Sequence, residues 1–131
     1  MLNFIIIVDL IKSSDTMLSM NARVSLSNPS ASYFDEVEVM GIEDQNHFSY
    51  RDNEGSKCEM FISDGGLCLF KQAEDHELEL HLLDNNYAKI SSAEGIIRID
   101  AKVVAYSINS DILVMRYLIS DEERTIRIQY Y

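Results

Sequence analysis

The chain holds no tryptophan, one proline (Pro29), five glycines and two cysteines in 131 residues. So little proline and glycine excludes long disordered or linker-like stretches. Two cysteines exclude a disulfide-stapled scaffold, and a single domain of this length buries a core without staples. Basic residues are also scarce, with 11 Lys and Arg against 22 Asp and Glu and a formal net charge of −11. Such a surface repels phosphate backbones and anionic bilayers, so neither a nucleic acid nor a membrane is an expected partner. Long apolar runs are missing except near the start, where Leu2 to Ile11 is interrupted by Asp9 and is too short to span a bilayer. No basic residue precedes that run and no small-residue cleavage site follows it, so it does not read as a signal peptide. Its isoleucines and valine suit a buried strand, while Met17 and Met20 offer alternative translation starts. We therefore expect residues 1–20 to be an extra strand or a mis-assigned start, and residues 21–131 to form the domain.

What fills the remainder is alternation. Short segments of period two recur at roughly 22–27, 34–42, 46–52, 57–63, 67–72, 77–83, 87–92, 95–107, 112–119 and 123–130, separated by Asp-Gly, Asn-Asn and Ser-Asp turns. The segment 95–107 is long enough to require a bend, expected near Lys102. Connections of two to five residues make sequential hairpins, and many such strands must hide their edges. The pattern predicts an all-β fold, a single antiparallel up-and-down barrel of 8–10 strands, with a two-sheet sandwich as the alternative.

Alternation also assigns faces. Leu78, Leu80 and Leu82 share one side while Glu77, Glu79 and His81 share the other. By the same rule Val37, Val39 and Gly41, then Ile97, Ile99 and Ala101, then Ile126, Ile128 and Tyr130 face inward. Leu67 to Phe70 and Ile112 to Ile119 are apolar on both faces. With Met115 and Tyr117 inward, Ile112, Val114 and Leu118 form an outward stripe, which implies a cover by the N-terminal run or a homodimer contact.

Cys58 and Cys68 flank the expected Asp64-Gly65 hairpin. Pairing across it offsets them by three or four residues, roughly 10 Å at about 3.4 Å per residue. That exceeds the bridging limit, so both are read as free thiols of a reducing, cytoplasmic compartment.

Taken in order, several features resemble a known family. They are Gly41 with Phe48 and Tyr50; the Asp64-Gly65 hairpin entering a strand that ends in Lys71; Ile90-Ser91-Ser92-Ala93-Glu94-Gly95-Ile96-Ile97; and a closing pair built on Tyr117 and Ile126 to Tyr130. Over residues 22–131 the chain resembles the YwiB-like family of small bacterial proteins. The resemblance implies a calycin-like (lipocalin-like) barrel, a bacterial cytoplasmic setting and no assigned activity. It departs at Lys71, where the resemblance leads us to expect arginine, and at the acidic Glu74-Asp75-His76-Glu77. Those departures weaken the case for a shared anion site.

No phosphate loop, dinucleotide fingerprint, nucleophile elbow or Cys-x-x-Cys is present, so no cofactor and no catalytic residue is assigned. His76 and His81 lie an odd number apart and face opposite ways on a strand, leaving Glu79 and His81 as too few ligands for a metal site. His47 reads as a turn or surface residue. The acidic pairs at Asp35-Glu36, Glu43-Asp44, Glu74-Asp75 and Asp121 to Glu123 read as solvated strand ends. A ligand site, if there is one, belongs in the barrel interior, where one small amphipathic or apolar molecule fits. The candidate residues are Tyr50, Tyr117 and Tyr130 for their inward hydroxyls, Lys71 at the mouth, and Arg116, a mid-strand cation in need of an acidic partner or an anion. The reading is of a non-enzymatic binding protein, with a protein-interaction or dimerisation module as the alternative.

Overall fold

The computed structural model describes residues 19–131. The N-terminal expectations lie outside those residues, apart from Met20, which opens the first strand. Ten strands follow: β1 (Met20–Asn28), β2 (Tyr33–Ile42), β3 (His47–Arg51), β4 (Lys57–Ser63), β5 (Gly66–Gln72), β6 (His76–Leu82), β7 (Tyr87–Ser92), β8 (Gly95–Ile108), β9 (Ile112–Ile119) and β10 (Glu122–Tyr130). Each lies within two residues of its expected place, because turn residues and period-two alternation mark both ends of a hairpin strand. A 3-10 turn at Pro29–Ala31 joins β1 to β2.

The strands form one antiparallel sheet in the order β2-β1-β10-β9-β8-β7-β6-β5-β4-β3. From β3 to β10 this is the expected meander. β1 then returns beside β10, with β2 outside it, so the sheet curls into a nearly closed barrel. β2 and β3 follow one another in sequence but share no ladder, and they form the two lips of a seam. β8 carries the closure: residues 95–100 pair with β7, and residues 101–108 pair with β9. Its bend falls slightly beyond Lys102, at a bulge between Val103 and Ala105.

A second bulge corrects an expectation. Ala22 pairs with Val39 but Met20 pairs with Ile42, so one extra residue sits on β2. Gly41 absorbs it at φ +67°, a conformation glycine adopts at little cost, and its N–H donates to Asn21 Oδ1 at 3.1 Å. Ile42, not Gly41, therefore turns inward and is buried.

The interior is filled by its own side chains. Val24, Met60, Leu67, Leu82, Leu113, Met115, Ile126 and Ile128 are all essentially inaccessible to solvent. Tyr106 ties the halves together, its hydroxyl donating to Ser63 O at 2.6 Å. At one rim the start of β1 meets the last residue, since Asn21 and Tyr131 exchange both backbone hydrogen bonds, at 2.8 and 2.9 Å. Among the described residues no helix is long and apolar enough to cross a membrane. Cys58 and Cys68 are free; the register sets Cys58 opposite Lys71 and Cys68 opposite Phe61, as the hairpin geometry requires.

Candidate functional site

One row of inward positions crosses six strands near the rim opposite Asn21 and Tyr131: Tyr50, Cys58, Lys71, Leu78, Ile90 and Ile97, each the direct partner of the next. The row changes character along its length, from hydroxyl, thiol and ammonium to three aliphatic side chains. Exposure changes with it. Cys58 is 4% exposed, whereas Ile97, although inward in register, is 59% exposed because the N-terminal half of β8 extends past the end of β9. The expectation that Ile97 is shielded like Ile99 is thus corrected: residues 95–100 of β8 run past β9 and leave Ile97 open to solvent at that rim.

At the polar end Lys71 Nζ lies 2.8 Å from Asp52 Oδ2 and 3.7 Å from Glu54 Oε1. The Asp52 carboxylate also accepts the backbone N–H groups of Glu54 at 3.0 Å and Ser56 at 2.9 Å, so one ion pair closes the β3–β4 loop onto β5. Burial raises Asp52 towards its neutral form, but the Lys71 hydrogen bond and the two amides outweigh burial, and the carboxyl ends below its ordinary range. For Lys71, burial lowers and the Asp52 hydrogen bond raises, with a net upward result.

The sign of the pH dependence follows. A carboxyl depressed in the folded state contributes stability that is present above its unfolded value of about 3.9 and lost as pH falls through that region. Lys71→Met is therefore expected to cost about 1–3 kcal/mol at pH 7, the worth of a charge-assisted hydrogen bond. Urea titrations at pH 7 and pH 3 check this, the difference from wild type shrinking at the lower pH.

Tyr50 stands next in the row. Burial pushes its hydroxyl far above the ordinary tyrosine value; the Cys58 thiol beside it, itself raised by burial to about 11, is a weak hydrogen-bonding neighbour, and no nitrogen or oxygen partner satisfies Tyr50 Oη. A buried hydroxyl whose neighbour is a thiol, a weak donor and acceptor, has capacity for a stronger partner.

The other candidates separate. Tyr117 is inward on β9 and 5% exposed, its hydroxyl raised by burial to about 12. Tyr130 is inward but at the opposite rim, where its hydroxyl donates to Gln45 O at 3.1 Å. Arg116 belongs to neither place. It is exposed on the outer face, and its Nε donates to Glu123 Oε2 at 2.8 Å. Its side chain does not join the lumen set, since Met115 and Tyr117 take the inward positions on either side of it. The outward Ile112, Val114 and Leu118 are half-buried rather than exposed, each paired in register with a polar residue on β10 (Gln129, Arg127, Glu123).

Sequence reasoning missed the outer face of β3–β8. A groove of about 610 Å³ opens there above the backbone of the Tyr50–Leu78 row, between Ser49, Glu59, Phe70 and Glu79 on one side and Arg51, Lys57, Gln72 and Glu77 on the other. Beside it runs a chain of rings. His47 stacks on Phe61 at 4.3 Å, Phe61 meets Phe70 edge-on at 5.6 Å, and Phe70 meets His81 edge-on at 5.4 Å. His81 in turn stacks on Tyr87 at 4.4 Å, and the Arg98 guanidinium covers Tyr87 at 3.8 Å. The signal was present in the sequence: these rings occupy the polar-face positions of five successive strands. It becomes legible only once the register is known. Among the described residues no group of three or more His, Cys, Asp or Glu is arranged to hold a metal ion.

The fold defined by these elements is that of a ten-stranded antiparallel barrel with a packed interior. It is similar to the crystal structure of the ywiB protein from Bacillus subtilis, with a TM-score of 0.56 over 86% of this chain and 88% of that one, at 10% sequence identity. No protein-family model and no curated protein sequence matches. At this identity the likeness establishes the fold.

Proposed function

We propose that this protein is a bacterial cytoplasmic, calycin-like binding barrel that takes a small amphipathic molecule at this rim, above the packed interior. The observation that carries this reading is the Tyr50 hydroxyl, buried with only the Cys58 thiol beside it and no nitrogen or oxygen partner, at the polar end of a row whose aliphatic end is open to solvent. Leu78, Ile90 and Ile97 offer apolar area to a hydrocarbon portion, and Tyr50 offers a hydrogen-bond donor to an oxygen at its head. Asp52 and Glu54 beside Lys71 make the head region rich in carboxylates, which favours an uncharged head over an anionic one. This keeps the ligand-binding reading and sets it at the rim, above the buried side chains that occupy the barrel interior.

Native mass spectrometry with 1-decanol and with decanoate tests it. Decanol is expected to bind more tightly than decanoate, and Tyr50→Phe should weaken decanol by about threefold to tenfold, one hydrogen bond's worth. The same substitution should change the stability of the empty protein little, since the hydroxyl it removes has only a thiol beside it. Failure of both probes to bind, or binding unchanged in Tyr50→Phe, overturns the proposal.

A further inference from the structure

The outer face carries a nucleophile, a base and an orienting carboxylate that the mouth does not use. Cys68 Sγ lies 3.6 Å from His81 Nδ1, and His81 Nε2 lies 3.1 Å from Glu79 Oε1. With Glu79 accepting the Nε2 proton, Nδ1 is left as the acceptor facing the thiol. The imidazole is fixed by the Tyr87 stack at 4.4 Å and the Phe70 edge at 5.4 Å. Lys89 Nζ, 3.8 Å from Glu79 Oε2, braces the carboxylate. None of the three is sealed off: Cys68 is partly exposed, and the His81 and Glu79 side chains are 23% and 32% exposed. Phe70 and Glu79 also line the outer groove, so a molecule attacked by Cys68 has a concavity of about 610 Å³ alongside.

We infer that Cys68, with His81 as its base and Glu79 as a positioning residue, is a thiol–disulfide exchange site for low-molecular-weight disulfides. The thiol proton passes to His81 Nδ1 as Cys68 Sγ attacks one sulfur of the disulfide. A protein–small-molecule disulfide forms, the original S–S bond breaks, and the departing thiolate takes up the proton. The incoming disulfide is the oxidant, and a second thiol reverses the reaction.

Burial raises the Cys68 thiol, the Leu82 amide hydrogen-bonded to it works the other way, and Asp84 adds to the rise. The thiol is therefore not a standing thiolate, and its reactivity depends on proton removal during the attack. Cys58 provides the contrast: it is buried on the opposite face, and burial pushes it up to about 11. Arg51 and Lys57 along the groove and Lys89 on Glu79 offset the local carboxylates, so the preference comes from the long-range field of a chain of net charge −11, which steers a cationic disulfide in faster than an anionic one.

The test uses the full chain with cystamine and with oxidised glutathione, following adduct formation by intact mass and locating it by peptide mapping. A single adduct on Cys68 is expected, faster with cystamine. His81→Gln should slow it about tenfold or more near neutral pH, the low end of general-base contributions, and Glu79→Gln by a smaller factor. In His81→Gln the rate should rise only at the higher pH where the thiol ionises unaided. Leu118→Ala, elsewhere on the outer face, should react like wild type. Modification of Cys58 ahead of Cys68, or an unchanged rate and pH profile in a folded His81→Gln, would overturn the inference.

Discussion

Gly66→Ala is expected to lower stability by an amount at or beyond the top of the range of about 1–3 kcal/mol for overpacking a core. A Cβ at this position would stand 2.0 Å from Leu82 O and 3.0 Å from both Leu82 C and Leu83 Cα. All three are backbone atoms of β6 or the residue following it, and backbone held in a ladder cannot rotate aside as a side chain does. Relief requires β5 to move away from β6 where Leu67 pairs with Leu82, both essentially inaccessible to solvent. It would also disturb the Ser63–Gly66 closure of the hairpin, which holds the Tyr106 hydroxyl. Gly55→Ala is the control: nothing lies within 4 Å of its Cβ, and its φ of +85° leaves a strain cost of about 1–2 kcal/mol. Urea midpoints for the two variants check the difference. Equal effects would show that the close approach of β5 and β6 does not determine the outcome.

Met115→Ala is expected to cost about 2–5 kcal/mol, the range for truncating a fully buried side chain whose surroundings cannot collapse. Met115 is 0% exposed at the middle of β9, paired with Ile126 on one side and Tyr106 on the other. Ladders on both sides of β9 keep the strands from closing around the void without losing hydrogen bonds, so the cost should fall in the upper part of that range. Leu118→Ala, half-buried on the outer face of the same strand, is expected to cost far less. The comparison also measures how solid the interior is. A lumen that held a ligand-sized space would tolerate the methionine truncation cheaply, and a small cost would restore the lumen as the place for a ligand.

The strands were legible because each turn was marked by its own chemistry and each strand by a clean period of two. Asp64-Gly65 and Asn85-Asn86 place a hairpin whatever lies around them. Closure of the sheet was inferred from the edge problem, but the position of the seam between β2 and β3 was not readable. It depends on β1 returning to β10, a contact between the two ends of the domain that local pattern does not encode. The Gly41 bulge escaped for a related reason: one extra residue shifts every face beyond it, and only the partner strand reveals where it lies. Arg116 shows the limit for single side chains. A cation among apolar neighbours looks buried in a linear reading, yet its strand is apolar on both faces and Glu123 waits across the ladder. The Cys68–His81–Glu79 relay was hidden in the same way. Glu79 and His81 were seen to share a face, but the thiol comes from the neighbouring strand and its distance depends on register alone.

The seam between β2 and β3 makes this molecule a rolled ribbon and not a hoop. A hoop distributes strain around its circumference and opens only when a ladder somewhere breaks. A ribbon already has two lips, and among the described residues no ladder joins them. Unrolling can start from either lip and advance one hairpin at a time, so the last ladders to part should be those around β8, where the two halves of the sheet share a single strand.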